Sequence, residues 1–201
     1  MRNKTLNIVL IDSFDSFTNN LRASILNTKN INLEIIQYNE ISDNEEKLIQ
    51  SDGIIISPGQ GDPSYYVQYH KSLMVHYTKK PVLGVCLGHQ IISLLFGGKT
   101  FNLATPRHGV QTTLKSISNE ELFKEIGANP QVGLYHSHAV HDIGNDLIIT
   151  AIDDQNVVMG IKHKTYPIYG IQFHLESFLT PLGHKIIKSF IELCQNHSRK
   201  D

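Results

Sequence analysis

The chain has 201 residues, 40% hydrophobic and 18% charged, a make-up suited to one globular domain with its own core and unlike that of a disordered chain. Its formal net charge of -1 excludes the broad positive field that a nucleic-acid backbone or an anionic membrane surface calls for. The opening stretch to Asp12 has too short an apolar run for a secretory leader, and nothing reaches the roughly 20 apolar residues of a membrane span; a cytoplasmic protein is expected, with neither membrane nor nucleic acid as partner.

In chain order, short apolar runs alternate with helical patterns. Strands are expected over 6–11, 31–37, 53–56 and 82–85, and helices over 17–26, 65–77 and 90–95. Strand and helix in alternation predict an α/β fold: an open, twisted, mainly parallel sheet with helices on both faces and a flavodoxin-like core. The second half changes character. Runs over 111–114, 131–135, 147–152, 157–162 and 168–173 read as strands joined by short turns, an antiparallel extension of the sheet. A last helix is expected from Thr180 as N-cap and Pro181 as first helical residue, with Leu182, Ile186, Phe190 and Leu193 along one face. No repeat or linker interrupts the chain, so a single domain over 1–201, with a core of about 6–195, is expected.

Of the two cysteines, Cys194 lies beside the apolar stripe of the last helix and reads as packing. Cys86 is different. A buried strand runs into a helix at Gly84-Val85-Cys86-Leu87-Gly88, the G-x-nucleophile-x-G pattern with Cys in place of Ser. Small residues two positions either side let strand and helix approach at a sharp turn. The helix that follows turns its free N–H groups and positive dipole end toward the sulfur, which favours a thiolate. The N–H of Leu87 becomes a candidate oxyanion donor. Downstream, Gly97-Gly98-Lys99-Thr100 ends like a phosphate loop, but Ser93 stands where the pattern needs its first glycine and the run follows a helix rather than opening one.

A thiolate that attacks an amide needs a proton carrier held in orientation. Gly170-Ile171-Gln172-Phe173-His174-Leu175-Glu176-Ser177 offers one: residues two apart in extended chain share a side, so His174 and Glu176 can meet. His89 competes for the role, but it falls in the first turn of a helix, where the dipole disfavours imidazolium, and is read as structural. The glycine- and proline-rich loop Pro58-Gly59-Gln60-Gly61-Asp62-Pro63 can offer backbone N–H groups to a developing negative charge. Tyr135-His136-Ser137-His138 offers polar groups to an amino-acid substrate. The eleven histidines show no HxxxH or HExxH spacing, and no cysteine pair closes a zinc site, so no metal is expected.

These motifs, in this order from residue 8 to about 190, resemble the class I (Cys-His-Glu triad) glutamine amidotransferases. Ile11-Asp12-Ser13-Phe14-Asp15-Ser16-Phe17-Thr18 narrows the resemblance to the small subunits of anthranilate synthase and aminodeoxychorismate (para-aminobenzoate) synthase. The resemblance implies that Cys86 is the nucleophile, His174 the base and acid, and Glu176 the orienting carboxylate. Backbone N–H groups of Gly59 and Leu87 would form the oxyanion hole, and Gly59, Gln60, Gly61, Gln90, Ser137 and His138 would line the L-glutamine site. It further implies no cofactor in this subunit; its partner would be a large, chorismate-binding synthase subunit. A stand-alone thiol hydrolase of γ-glutamyl compounds or peptides, and a scaffold that has lost activity, are the readings set against it. The chain departs from the family pattern at Leu175, where proline is usual and where leucine is read as loosening the turn. It departs also at Gln60, at Val110 in place of lysine, at His138 and at Ser13.

Overall fold

The computed structural model describes residues 5–117 and 121–199; the first four residues, part of the stretch read for a leader, and the last two lie outside it. The first half builds a parallel sheet from β1 (Leu6–Ser13), β2 (Ile31–Gln37), β3 (Gly53–Gly59) and β4 (Val82–Val85). The helices between them are α1 (Thr18–Leu26), α2 (Glu45–Gln50), α3 (Pro63–Lys71) and α4 (Met74–Tyr77), with α5 (Leu87–Leu95) following β4. Alternation along β1 divides the core. Ile8 and Leu10 pack with Leu21, Ile25 and Phe190 on one face, while Val9 and Ile11 pack with Leu48, Tyr66 and Ile91 on the other.

The second half supplies β5 (Lys99–Ile117), β6 (Gln131–Asp142), β7 (Leu147–Asp153), β8 (Val158–His163), β9 (Ile168–Ile171) and the closing helix α6 (Gly183–His197). The sheet order is β2-β1-β3-β4-β9-β8-β7-β5-β6. β9 joins β4 in parallel, and the pairs from β9 outward through β8, β7, β5 and β6 are antiparallel, as the short turns predict. The return of β9 to the parallel half matters most for function: it brings the ends of β4 and β9 side by side at one edge of the sheet.

Several boundaries differ from expectation. The helix expected over 65–77 starts earlier, because Asp62 Oδ1 accepts the Ser64 N–H at 2.8 Å with Pro63 in the first turn, and it breaks after Lys71. The break lets Tyr77 return to His70, whose Nδ1 lies 2.6 Å from the tyrosine hydroxyl. β5 and β6 form a much longer hairpin than 111–114 and 131–135 suggest, with register shifts between Asn102 and Arg107 and between His108 and Val110. The phosphate-loop look-alike is the turn that closes α5, with Gly97 at φ +83, and Lys99 already belongs to β5. Cys194 is fully buried against Gly53, and burial pushes its thiol well up.

Thr180 does not cap the last helix. That helix starts at Gly183 with Leu182 as its N-cap, while the Thr180 hydroxyl accepts the Gly133 N–H of β6 at 2.8 Å. The threonine therefore ties the turn after β9 to β6. Thr180→Val keeps the shape but strips the acceptor from a buried N–H, which should cost about 1–3 kcal/mol, read as a lower urea midpoint in equilibrium unfolding.

Candidate active site

Cys86 sits at the junction of β4 and α5 with φ 51 and ψ −99, a left-handed backbone for a residue with a side chain. Two hydrogen bonds hold it: its N–H donates to Ile171 O of β9 at 2.8 Å, and its carbonyl accepts the Gln90 N–H at 3.2 Å. The glycines around it leave no room. A Cβ at Gly84 would stand 2.4 Å from the Gly88 carbonyl, and one at Gly88 would stand 2.5 Å from Ile56 O. Leu87 opens α5, so its N–H is among those a helix start leaves without an intrahelical acceptor. The end of β3 comes close, since a Cβ at Gly59 would stand 2.2 Å from Leu87 Cδ2.

β9 ends at Ile171, so His174 and Glu176 are not neighbours along an extended strand; they meet across a turn, in which Ser177 N–H reaches back to His174 O at 3.4 Å. The contact forms nonetheless. His174 Nδ1 lies 2.7 Å from Glu176 Oε1, while His174 Nε2 and Glu176 Oε2 are buried with no hydrogen-bond partner. Phe17 and Tyr135 stand edge-on to the imidazole, at 4.8 and 5.0 Å between centroids. Burial works against charge on this ring, but the neighbouring Cys86 and the Glu176 carboxylate outweigh it and raise its pKa to about 10. Leu175, read as loosening the turn, is instead buried in the core, and Gly183 packs onto its carbonyl so closely that a Cβ there would come within 1.9 Å.

A cavity of about 460 Å³ opens over the sulfur. Of the residues singled out from sequence, Cys86, His174, Gly59, Gln60, Gly61, Gln90, Ser137 and His138 line it. Glu176 stands behind His174, and Leu87, next to Cys86, does not itself line the cavity. The side-chain amide of Gln90 is already engaged: it donates to His138 O at 2.8 Å and to Gln172 Oε1 at 3.0 Å, which leaves its carbonyl for a ligand. Gln172 in turn places its Nε2 3.7 Å from the Cys86 sulfur. Sequence reasoning did not single out Gln172, although its place two residues before His174 on the same strand exit was the available signal. Asp15, Ser16, Phe17 and His108 also line the cavity unforeseen; the first three lie in the motif that narrowed the family resemblance, and His108 Nε2 lies 3.0 Å from Ser137 Oγ.

Neither His89 nor His136 competes as proton carrier. Burial lowers His89 to about 3, with both ring nitrogens unpartnered inside the protein, and lowers His136 to about 4, with its Nδ1 2.8 Å from His138 O. Both stay neutral near pH 7. Among the described residues no three His, Cys, Asp or Glu side chains converge to hold a metal ion, and no helix is long and apolar enough to cross a membrane.

Known proteins carry the same pattern. The model of the family described as glutamine amidotransferase class-I matches residues 9–193. The chain belongs to the class I glutamine amidotransferases. It is 39% identical over 197 residues to an anthranilate synthase component 2 of Thermococcus kodakarensis, covering 94% of this chain and 99% of that one. It is 33% identical over 192 residues to an aminodeoxychorismate synthase of Streptomyces griseus, covering 95% of this chain but 26% of that longer protein. Among solved structures, one described as a GMP synthase subunit from Thermoplasma acidophilum superposes with a TM-score of 0.87 at 25% identity, over 98% of this chain and 97% of that one. This amidotransferase therefore shares sequence with an anthranilate synthase component and an aminodeoxychorismate synthase, and its fold with a GMP synthase subunit, and the stand-alone hydrolase reading is not favoured.

The raised pKa of His174 sets a pH dependence. A group whose folded pKa lies above its unfolded value near 6.5 contributes stability that is full below about 6.5 and lost as pH climbs through about 10. NMR titration of the ring should find imidazolium at neutral pH, and Cys86→Ala should lower its pKa by removing a charge partner; an unmoved value would separate the two side chains electrostatically.

Proposed function

We propose that this amidotransferase hydrolyses L-glutamine to glutamate through a cysteinyl thioester and delivers the ammonia to a large, chorismate-using synthase subunit. The observation that carries the chemistry is the opposed placement of groups at the cavity floor: a sulfur on a strained helix start, and beside it an imidazole whose other nitrogen is held by a carboxylate. The names of relatives called component 2 or component II support the partner class, and a cytoplasmic location fits it.

In this reading the resting pair is a thiolate with the His174 imidazolium. The sulfur attacks the side-chain carbonyl carbon of glutamine, and the oxyanion that forms is met by N–H groups of Gly59 and Leu87. His174 gives its proton to the departing nitrogen, the C–N bond breaks, and ammonia leaves an acyl-cysteine. Neutral His174 then takes a proton from water, whose oxygen attacks the thioester; glutamate departs and the sulfur regains its charge. Glu176 keeps Nδ1 protonated and aims Nε2 throughout. Gln60, Gly61, Gln90, Ser137 and His138 hold the amino-acid end of the substrate, His138 through its backbone carbonyl network.

Cys86→Ala should abolish glutamine-dependent synthesis by the two-subunit complex and leave ammonia-dependent synthesis intact. Loss of both activities would instead make the residue structural. Glu176→Gln should lower kcat by about 10²-fold or more with a smaller change in KM, because the carboxylate orients the ring and does not touch glutamine. Steady-state glutaminase assays with the large subunit present read both.

A further inference from the structure

A buried chain of hydrogen bonds runs from β6 to the nucleophile. It starts at the carbonyl of His138, which accepts the Gln90 Nε2–H at 2.8 Å and lies 2.8 Å from His136 Nδ1. The same Gln90 nitrogen donates to Gln172 Oε1 at 3.0 Å, and Gln172 Nε2 then reaches Cys86 Sγ at 3.7 Å. Gln90 and His138 line the cavity; Gln172 does not, and it is wholly buried. The proposed reaction gives Gln172 no part.

The direction of this chain is fixed at its start. A backbone carbonyl can only accept, so the Gln90 atom that meets it is the amide nitrogen. That nitrogen has a second N–H, and the Gln172 atom that meets it is therefore the oxygen. This leaves the Gln172 nitrogen toward the sulfur. Turned over, the amide would set oxygen lone pairs against the sulfur and N–H against N–H. The backbone is held as well: the Gln172 N–H donates to Met159 O of β8 at 3.0 Å, and the preceding carbonyl, Ile171 O, takes the Cys86 N–H. A neutral thiol is only a weak acceptor, so a donor aimed at this sulfur acts chiefly on its anion.

We infer that Gln172 is a further catalytic residue: its amide N–H stabilises the Cys86 thiolate, and Gln90, anchored on the His138 carbonyl, keeps that amide turned to donate. Its hold on the sulfur stands on the hydrogen-bond chain alone, while its part in turnover rests on the proposed function. There the amide does what His174 cannot. The imidazolium gives its proton to the departing nitrogen, but an amide N–H is never given away. The donor therefore stays beside the sulfur through the thioester stage and is in place when the sulfur leaves as an anion. Because Gln90 and His138 also line the cavity, the groups that meet the substrate are the ones that orient this donor.

The test follows alkylation of Cys86 by iodoacetamide across pH in the full-length chain, with peptide mass spectrometry to keep Cys194 apart. Gln172→Met keeps the side chain's length and removes the donor. The pH of half-maximal rate should rise by about one unit, as the loss of one hydrogen bond to a charged group predicts, with a plateau no lower than that of the wild type. Glutaminase assayed with the large subunit should fall about tenfold in kcat with KM within about threefold, because Gln172 does not touch glutamine. An unmoved midpoint overturns the role, whatever happens to kcat, and leaves the residue as packing. A second reading needs no variant: in the wild type the Gln172 side-chain amide proton, followed by NMR, should titrate at the alkylation midpoint. A signal flat across that range overturns the role too. A wild type without glutaminase, in which the amide proton still titrates at that midpoint, overturns the proposed reaction and upholds the donor.

Discussion

The parallel pairing of β4 with β9 carries the site. Its last link, from the Cys86 N–H to Ile171 O at 2.8 Å, joins the residue that bears the sulfur to the strand whose exit bears the imidazole. The two lie in opposite halves of the chain, so no local preference could bring them together; only the crossover of β9 back into the parallel half does. The edge of the sheet where β4 and β9 both end is also where an open α/β sheet leaves a crevice, and the cavity opens there.

That pairing also supports the strain. A cysteine with positive φ persists only where its surroundings hold it. Here the hold is threefold: the Ile171 carbonyl from one side, the Gln90 N–H from the helix that follows, and the close fit of Gly84, Gly88 and the Ile56 backbone beneath. Each contact is ordinary, but together they leave the turn one conformation. Net charge and bulk polarity play no part; the field at the sulfur comes from the start of α5 and the neighbouring imidazole.

What could be read from sequence follows from where the patterns are sharp. β2 and β4 were legible to the residue, β2 from the alternation of Ile31, Leu33 and Ile35 and β4 as a short apolar run, and Cys86 stood out because glycines flank it at both required positions. The hairpin of β5 and β6 was not, since residues of β5 up to Gln111 are mostly exposed and polar and so carry no alternation to detect. α2 hid for a related reason: it buries only Leu48. The meeting of His174 with Glu176 was anticipated from strand geometry but is made by a turn, and Asp15 and His108 reach the cavity only through tertiary packing that spacing cannot express.

Gly133 on β6 links two parts of the cavity. Its carbonyl accepts the N–H of His174 at 3.0 Å and its N–H donates to the Thr180 hydroxyl, so one residue clamps the catalytic turn at both ends. A Cβ at that position would stand 2.7 Å from Leu179, so the clamp has no slack. Two residues further along the same strand come Tyr135 to His138, which line the cavity. In the proposed reaction, recognition and proton transfer hang from one ribbon of backbone: a molecule that fits badly against 135–138 would misalign the imidazole as well, so selectivity would be enforced at the chemical step and not only at the door.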